Sequence, residues 1–242
     1  MKDTDFFLKL NFTNFSKMQQ EVLDYLKIHP EYDLSATLNS ETWTQIPLDQ
    51  FPIINSFVSA RSKNKIYETA LRTVPPNFST DIHVDGLRED PTYFYRNQME
   101  KTVLAHPDTS FHDIDWRKIP PSSQYVLIIP ISNYENSMNY WYEQSDKLGK
   151  EITHFYERKE FPYKFWINFY TKEDSVGQQG TENNIAVPIE TVLIDKPTFI
   201  KSNIYHNVKN YGIAPRLVLT TRIFEYEQYS SLDKVFDYTG LL

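Results

Sequence analysis

From residue 51 onward the chain is a succession of short runs rich in aromatic and β-branched residues, each closed by turn residues, and this spacing constrains the fold more than any other feature. FPIINSFVSA and KIYETALRTV read as strands, and NFSTDIHVDG as a shorter one ending in a glycine turn. YVLIIPIS reads as a buried run, and MNYWYE follows it after a turn at Asn133–Asn136. FWINFYT, NIAVPIE, TVLIDKPTFIK, IYHNVKN and RLVLTTRIFEY continue the series. Eight or more such strands predict a sandwich, jelly roll or barrel. Composition agrees: 16 Phe, 17 Tyr and 4 Trp favour strands, and fourteen Pro against six Gly favour stiff turns.

Residues 1–50 read as a prelude packed on a single main domain spanning 51–242. Within the prelude, Asn14–Lys27 is amphipathic, with Phe15, Met18, Val22, Tyr25 and Leu26 on one face. A capping box between Ser16 and Gln19 would start this helix. Residues 87–122 are polar, proline-rich and aperiodic, and read as a long insertion, partly helical around Tyr95 to Leu104. Residues 143–162 are charged and read as helix or loop.

Several function classes drop out on chemical grounds. A net charge of −7 with no lysine-arginine cluster argues against nucleic acid as the main partner. With no cysteine, a metal must be held by histidine and carboxylate. No Gly-x-Ser-x-Gly elbow or glycine-rich phosphate loop occurs. MKDTDFFLKLNF carries acids where a signal peptide needs an apolar run, and no stretch approaches the ~18 apolar residues of a membrane span. The expectation is a cytoplasmic protein, with the glycosylation-type matches at Asn11, Asn14 and Asn77 arising by chance.

Six histidines remain, at 29, 83, 106, 112, 154 and 206. His83-Val84-Asp85 sets an imidazole and a carboxylate two residues apart, which on a strand puts both on one face. Taken alone the triplet suits a hairpin entry at Asp85-Gly86, with His83 half exposed, better than it suits a metal pair. His206 lies in another strand-like run. Two histidines and one carboxylate form the facial triad that leaves coordination positions on Fe(II) open. Ten residues after His206 comes Arg216, read as lying within an apolar strand, where a guanidinium needs a partner. It can grip a carboxylate bidentately and stays charged when buried. Arg222 shares its face. His106 and His112 read as loop histidines of the insertion, and His29 and His154 as surface residues. Arg88 reads either as a surface residue or as one that reaches the mouth of the site, and Trp141 reads as core.

The stretch PTFIKSNIYHNVKNYGIAPRLVLTTRIF resembles the C-terminal half of 2-oxoglutarate/Fe(II) oxygenases, closest to the aspartyl/asparaginyl β-hydroxylase-like branch and to small oxygenase-like proteins of marine bacteria and phages. The matching residues are His206, Val208, Asn210 and Arg216, and the upstream IHVDG and YVLIIPISNYENSMNYWYE fit as well, over roughly residues 50–226. The resemblance implies a mostly β double-stranded β-helix (jelly roll, cupin-like) with a flanking N-terminal helix. It implies Fe(II) on His83, Asp85 and His206 as catalytic centre, and 2-oxoglutarate as co-substrate with its distal carboxylate on Arg216. The implied reaction uses O2, releases succinate and CO2, and hydroxylates a small molecule or an amino-acid or peptide side chain. Many relatives carry Ser or Thr two residues after the arginine; here Val218 stands there. A second carboxylate contact would come from a central strand, with Tyr125, Ser132, Asn139 and Tyr140 as candidates. Two other classes stay open: a cupin-type metal enzyme without 2-oxoglutarate, and a non-catalytic jelly-roll binding or structural module.

Overall fold

The computed structural model describes residues 6–32, 42–63, 67–80, 82–84, 125–142, 150–157, 164–171, 188–202, 204–223 and 232–242. In chain order these form β1 (Phe7–Lys9), α1 (Phe15–Ile28), β2 (Thr42–Gln45), α2 (Pro52–Arg61), β3 (Tyr67–Val74), β4 (Phe78–Ser79), β5 (Ile82–Val84), β6 (Tyr125–Ser132) and β7 (Ser137–Trp141). Then follow β8 (Lys150–Glu157), β9 (Lys164–Thr171), β10 (Glu190–Leu193), β11 (Thr198–Lys201), β12 (His206–Asn210) and β13 (Arg216–Ile223). Two antiparallel sheets result. One has the order β1-β11-β6-β13-β3-β2; the other runs β10-β7-β12-β5-β9-β8, with β4 also on β12. Among the described residues, no helix is long and apolar enough to cross a membrane.

Strand alternation sorts the side chains of the first sheet into two layers. On β6 and β13, Leu127, Ile129, Ile131, Leu217 and Leu219 meet Met18, Val22, Ile54 and Val58 of the helices. Their neighbours Val126, Ile128 and Val218 turn the other way and meet Trp141 and Val192 of the second sheet. The molecule is therefore layered as helices, sheet, sheet. Each fully buried Leu, Ile or Phe in these layers contributes about 1.5–3 kcal/mol of transfer free energy. Trp141, wholly buried, also donates its Nε1–H to the Lys201 carbonyl at 3.0 Å, so its one polar atom is satisfied.

The N-terminal helix forms where the 3.6-residue period places it, but its start differs from the sequence expectation. Asn14 is the N-cap and makes no side-chain capping bond. Gln19, expected in a capping box, instead donates to the Pro130 carbonyl at 3.0 Å and so ties the helix to β6. FPIINSFVSA, expected as a strand, is the helix α2. Pro52 opens it at a position that needs no N–H, and Ile54 and Val58, four apart, are its buried residues. The N-terminal amides of α2, which have no partner within the helix, are met by Glu21 of α1, whose carboxylate accepts from Ile53 N at 2.7 Å and Ile54 N at 3.2 Å.

Other boundaries moved too. Within 143–162, expected as helix or loop, residues 150–157 form β8, paired along its length with β9. TVLIDKPTFIK divides into β10 and β11 around Pro197. The prelude supplies edge strands that composition did not signal: β1 pairs with β11, and β2 with β3. The expected insertion at 87–122, with Arg88, His106 and His112, lies outside the described residues.

Replacing Glu21 by Ala removes the acceptor for two helix-start amides. The expected loss is about 0.5–2 kcal/mol, in line with other helix caps. For a chain of this size that lowers Tm by roughly 2–4 °C per kcal/mol, read by thermal unfolding followed by circular dichroism. A Tm unchanged within about 1 °C would show that the carboxylate does not cap α2.

Candidate functional site

His206, the first residue of β12, is in direct register with Trp141 of β7 on one side and His83 of β5 on the other. Directly opposed residues of an antiparallel pair share a face. Trp141 belongs to the inter-sheet cluster, so both histidines stand on the inter-sheet face. They are 6 % and 4 % exposed, and their ring centroids are 4.5 Å apart. His206 Nδ1 lies 2.7 Å from the Ile204 carbonyl oxygen. A carbonyl can only accept, so Nδ1 carries the proton, and in the neutral ring Nε2 carries the lone pair.

Buried, close and on one face, the two imidazoles suit shared coordination of one divalent ion. Among the described residues, no group of three His, Cys, Asp or Glu surrounds a common point. Asp85, expected as the carboxylate ligand, follows the end of β5 by one residue and lies outside the described residues.

Arg216 opens β13 in the opposing sheet and is 2 % exposed. It shares the parity of Val218, which packs between the sheets, so its side chain leaves β13 toward the second sheet. Arg222 has the same parity and stands opposite Glu68 of β3. Asn139 of β7 alternates with Met138 and Tyr140 and is buried on the inter-sheet side with Trp141. Its Nδ2 is buried and donates no hydrogen bond among the described residues. A buried amide donor in that position suits a ligand rich in acceptors.

The other candidates for contacting a carboxylate divide by face. Tyr125 packs in the helix-side cluster, because the alternation of β6 sends it outward with Leu127 and Ile129. It does not share a face with Arg216. Tyr140 stands on the outer face of β7, where its hydroxyl pairs with that of Tyr211 at 2.8 Å and Lys209 lies over its ring. Burial and the Tyr211 hydrogen bond raise its pKa. Tyr142, on the same outer side, packs with Ile82 and Tyr205, and burial pushes its phenol up to about 12. Ser132 ends β6, half-buried and next to Leu217. His29, expected at the surface, stacks on Tyr25 and pairs with Glu31 at 2.8 Å.

Two asparagines of β12 hold this arrangement together. Asn207 is wholly buried, donates to the Thr80 carbonyl and the Ser79 hydroxyl at 3.2 Å each, and accepts from the Tyr142 hydroxyl at 3.1 Å. It thereby ties the residue after His206 to the segment that leads into His83. Asn210 Nδ2 lies 3.0 Å from the Val74 carbonyl, 2.9 Å from that of Pro75 and 2.9 Å from that of Ala214. Its Oδ1 accepts from Gly212 N at 2.9 Å. Val74 is the cross-strand partner of Arg216, so this one amide joins the ends of β3, β12 and β13. The Asn-x-Gly pattern at 210–212 signals a turn, but not its three-strand reach.

No family model matches the sequence, and no curated protein is significantly similar to it. Similar solved structures include a Pseudomonas putida prolyl-4-hydroxylase (TM-score 0.39, 9 % identity, 93 % of this chain and 95 % of that one). They also include the non-heme alpha-ketoglutarate-dependent carbocyclase SnoK from nogalamycin biosynthesis (TM-score 0.43, 11 % identity, 90 % of this chain and 79 % of that one). Both likenesses are distant, and the reading of the site rests on the chain's own residues.

Asn210→Asp sets a carboxylate against three buried carbonyl oxygens. An expected loss of about 3 kcal/mol or more follows from burying an uncompensated charge, with the deficit shrinking as pH falls and the carboxylate is protonated. Urea unfolding at pH 5 and pH 8 checks both magnitude and sign. Equal losses at the two pH values would refute the electrostatic account.

Proposed function

We propose that this protein is an Fe(II)- and 2-oxoglutarate-dependent dioxygenase that hydroxylates a small molecule or an amino-acid or peptide side chain. The observation that carries the reading is the direct register of His206 with His83, two buried imidazoles on the inter-sheet face, with Arg216 buried on the inward face of the opposing sheet. The strand order supports a double-stranded β-helix. Along the chain, β3, β6, β11 and β13 of one sheet are interleaved with β5, β7, β10 and β12 of the other, as an eight-stranded jelly roll requires.

In this reading His83, Asp85 and His206 hold the metal, the carboxylate coming two residues after the first histidine. When bound there, Fe(II) supplies the redox chemistry by which O2 and 2-oxoglutarate are consumed. The chain supplies orientation and shielding. The Ile204 carbonyl fixes the tautomer of His206, leaving Nε2 as the ligating atom. Arg216 fixes the co-substrate through its distal carboxylate with a bidentate, charge-assisted grip. Asn139 offers its Nδ2–H to the bound acid. Trp141, Ile128 and Val218 make an apolar lining that limits water and strengthens these contacts.

Anaerobic titration of Fe(II)-loaded protein with 2-oxoglutarate tests the reading, through the weak visible absorption of iron chelated by a 2-oxo acid. His206→Ala is expected to abolish metal binding and the band. Asp85→Ala is expected to weaken metal binding by about 10-fold or more. Arg216→Ala is expected to keep the metal and to raise the 2-oxoglutarate requirement about 100-fold or more, the worth of a bidentate ionic hydrogen bond. Metal binding without any band would point to a cupin-type enzyme that does not use 2-oxoglutarate. Absence of metal binding would leave a non-catalytic jelly-roll module.

A further inference from the structure

Arg216 stands on the inter-sheet face, but Val218, two residues on, has no polar atom to share a carboxylate with it. The register shows what stands beside that valine. On β3, Val218 is directly opposite Arg72, as Arg216 is opposite Val74. Opposed residues of an antiparallel pair share a face, so Arg72 also leaves its strand toward the second sheet. The neighbours confirm the alternation: Leu71, one residue away, packs with the helices on the other side. Arg72 is thus the diagonal neighbour of Arg216, with backbones roughly 7–8 Å apart, well within reach of two arginine side chains. The Nε atoms of both are buried. Arg216 is itself 2 % exposed, whereas Arg72 is half-buried. Two guanidiniums repel one another, more strongly where water is excluded, and an anion between them turns that repulsion into a bridge.

We propose that Arg72 is a second binding residue for the distal carboxylate held by Arg216, in the place that a hydroxyl at position 218 would otherwise fill. The inference rests on the 2-oxo-acid reading given above. It assigns the site to 2-oxo acids carrying a second acid group, selected over mono-acid analogues by two fork-shaped cations. The grip is then shared between β13 and β3, and the central strand β6 is not needed for it.

The test uses Mn(II)-loaded full-length protein and calorimetric titration with 2-oxoglutarate and with 2-oxopentanoate, which lacks the distal carboxylate. Arg72→Met, Arg72→Lys and Arg216→Met are compared with the parent chain, with Mn(II) affinity measured separately by electron paramagnetic resonance. The expected result is a 10- to 100-fold (approximately) weaker 2-oxoglutarate affinity in Arg72→Met, from the loss of an ionic hydrogen bond. Affinities for 2-oxopentanoate and Mn(II) should stay within about twofold, and Arg72→Lys, which keeps charge but loses the planar fork, should fall between. Should Arg72→Met fail to fold, Arg72→Lys and Arg72→Gln carry the comparison. A preference for 2-oxoglutarate over 2-oxopentanoate that is unchanged in the Arg72 variants but collapses in Arg216→Met overturns the role of Arg72 and leaves the site reading intact. If the parent chain binds Mn(II) yet shows no preference between the two acids, the 2-oxo-acid reading itself falls, and this inference with it.

Discussion

The geometry of the inter-sheet space depends on one buried amide. Asn210 is 1 % exposed and bonds the carbonyls of Val74, Pro75 and Ala214 while accepting from Gly212. β12 ends at Asn210, β13 begins six residues later, and β3 ends at Val74. His206 and Arg216 therefore hang from the two strands that leave the same corner, one in each sheet. An amide suits this task because it donates and accepts with no charge to desolvate. Other turns are stitched to the same corner. Asn77 and Asn133 adopt left-handed backbone, φ 51° and 54°, which asparagine tolerates better than most residues. Asn77 N bonds the Gly212 carbonyl at 3.2 Å, and Asn133 Nδ2 the Pro215 carbonyl at 3.0 Å.

From that corner outward, the structure grades from polar stitching to apolar packing. β6 and β13 are buried on both faces, one against the helices and the other against the second sheet. Their centres, VLIIPI in β6 and LVL in β13, are continuous apolar runs for that reason, and they make the stiff floor on which Arg216 stands. A guanidinium in such a floor is costly unless anionic or carbonyl oxygens surround it, which is why its position is informative about chemistry as well as packing.

Much of the strand content was legible because it depends on local pattern. The runs around residues 67–74, 125–132, 137–141, 164–171, 206–210 and 216–223 are all strands, with turns where prolines, asparagines and glycines stand between them. α2 was not legible as a helix, because Ile53, Ile54, Phe57 and Val58 carry strand propensity and a ten-residue window holds too few turns to show its period. Its helicity follows from Pro52 and from Glu21, a carboxylate more than thirty positions upstream. The edge strands β1 and β2 are only three and four residues long, too short to leave a pattern. Within the site, alternation put Arg216 on one face with Val218, and the packing of Val218 between the sheets made that face the inner one. Tyr125 and Tyr140 could not be sorted, since alternation says which residues share a face and not which face is inside.

The sequence by itself determined the chemical vocabulary: histidine and carboxylate as the available metal ligands in a chain without cysteine, an arginine in an apolar strand, and a succession of short strands. Those are local properties of residue type and spacing. Tertiary structure alone decided the juxtapositions. His83 and His206 are far apart in the chain, and only the pairing of β5 with β12 sets them in register. Arg72 and Arg216 become diagonal neighbours only through the pairing of β3 with β13. Register is a long-range quantity, fixed by which faces are buried and by which corners are stitched, and no window of sequence contains both partners.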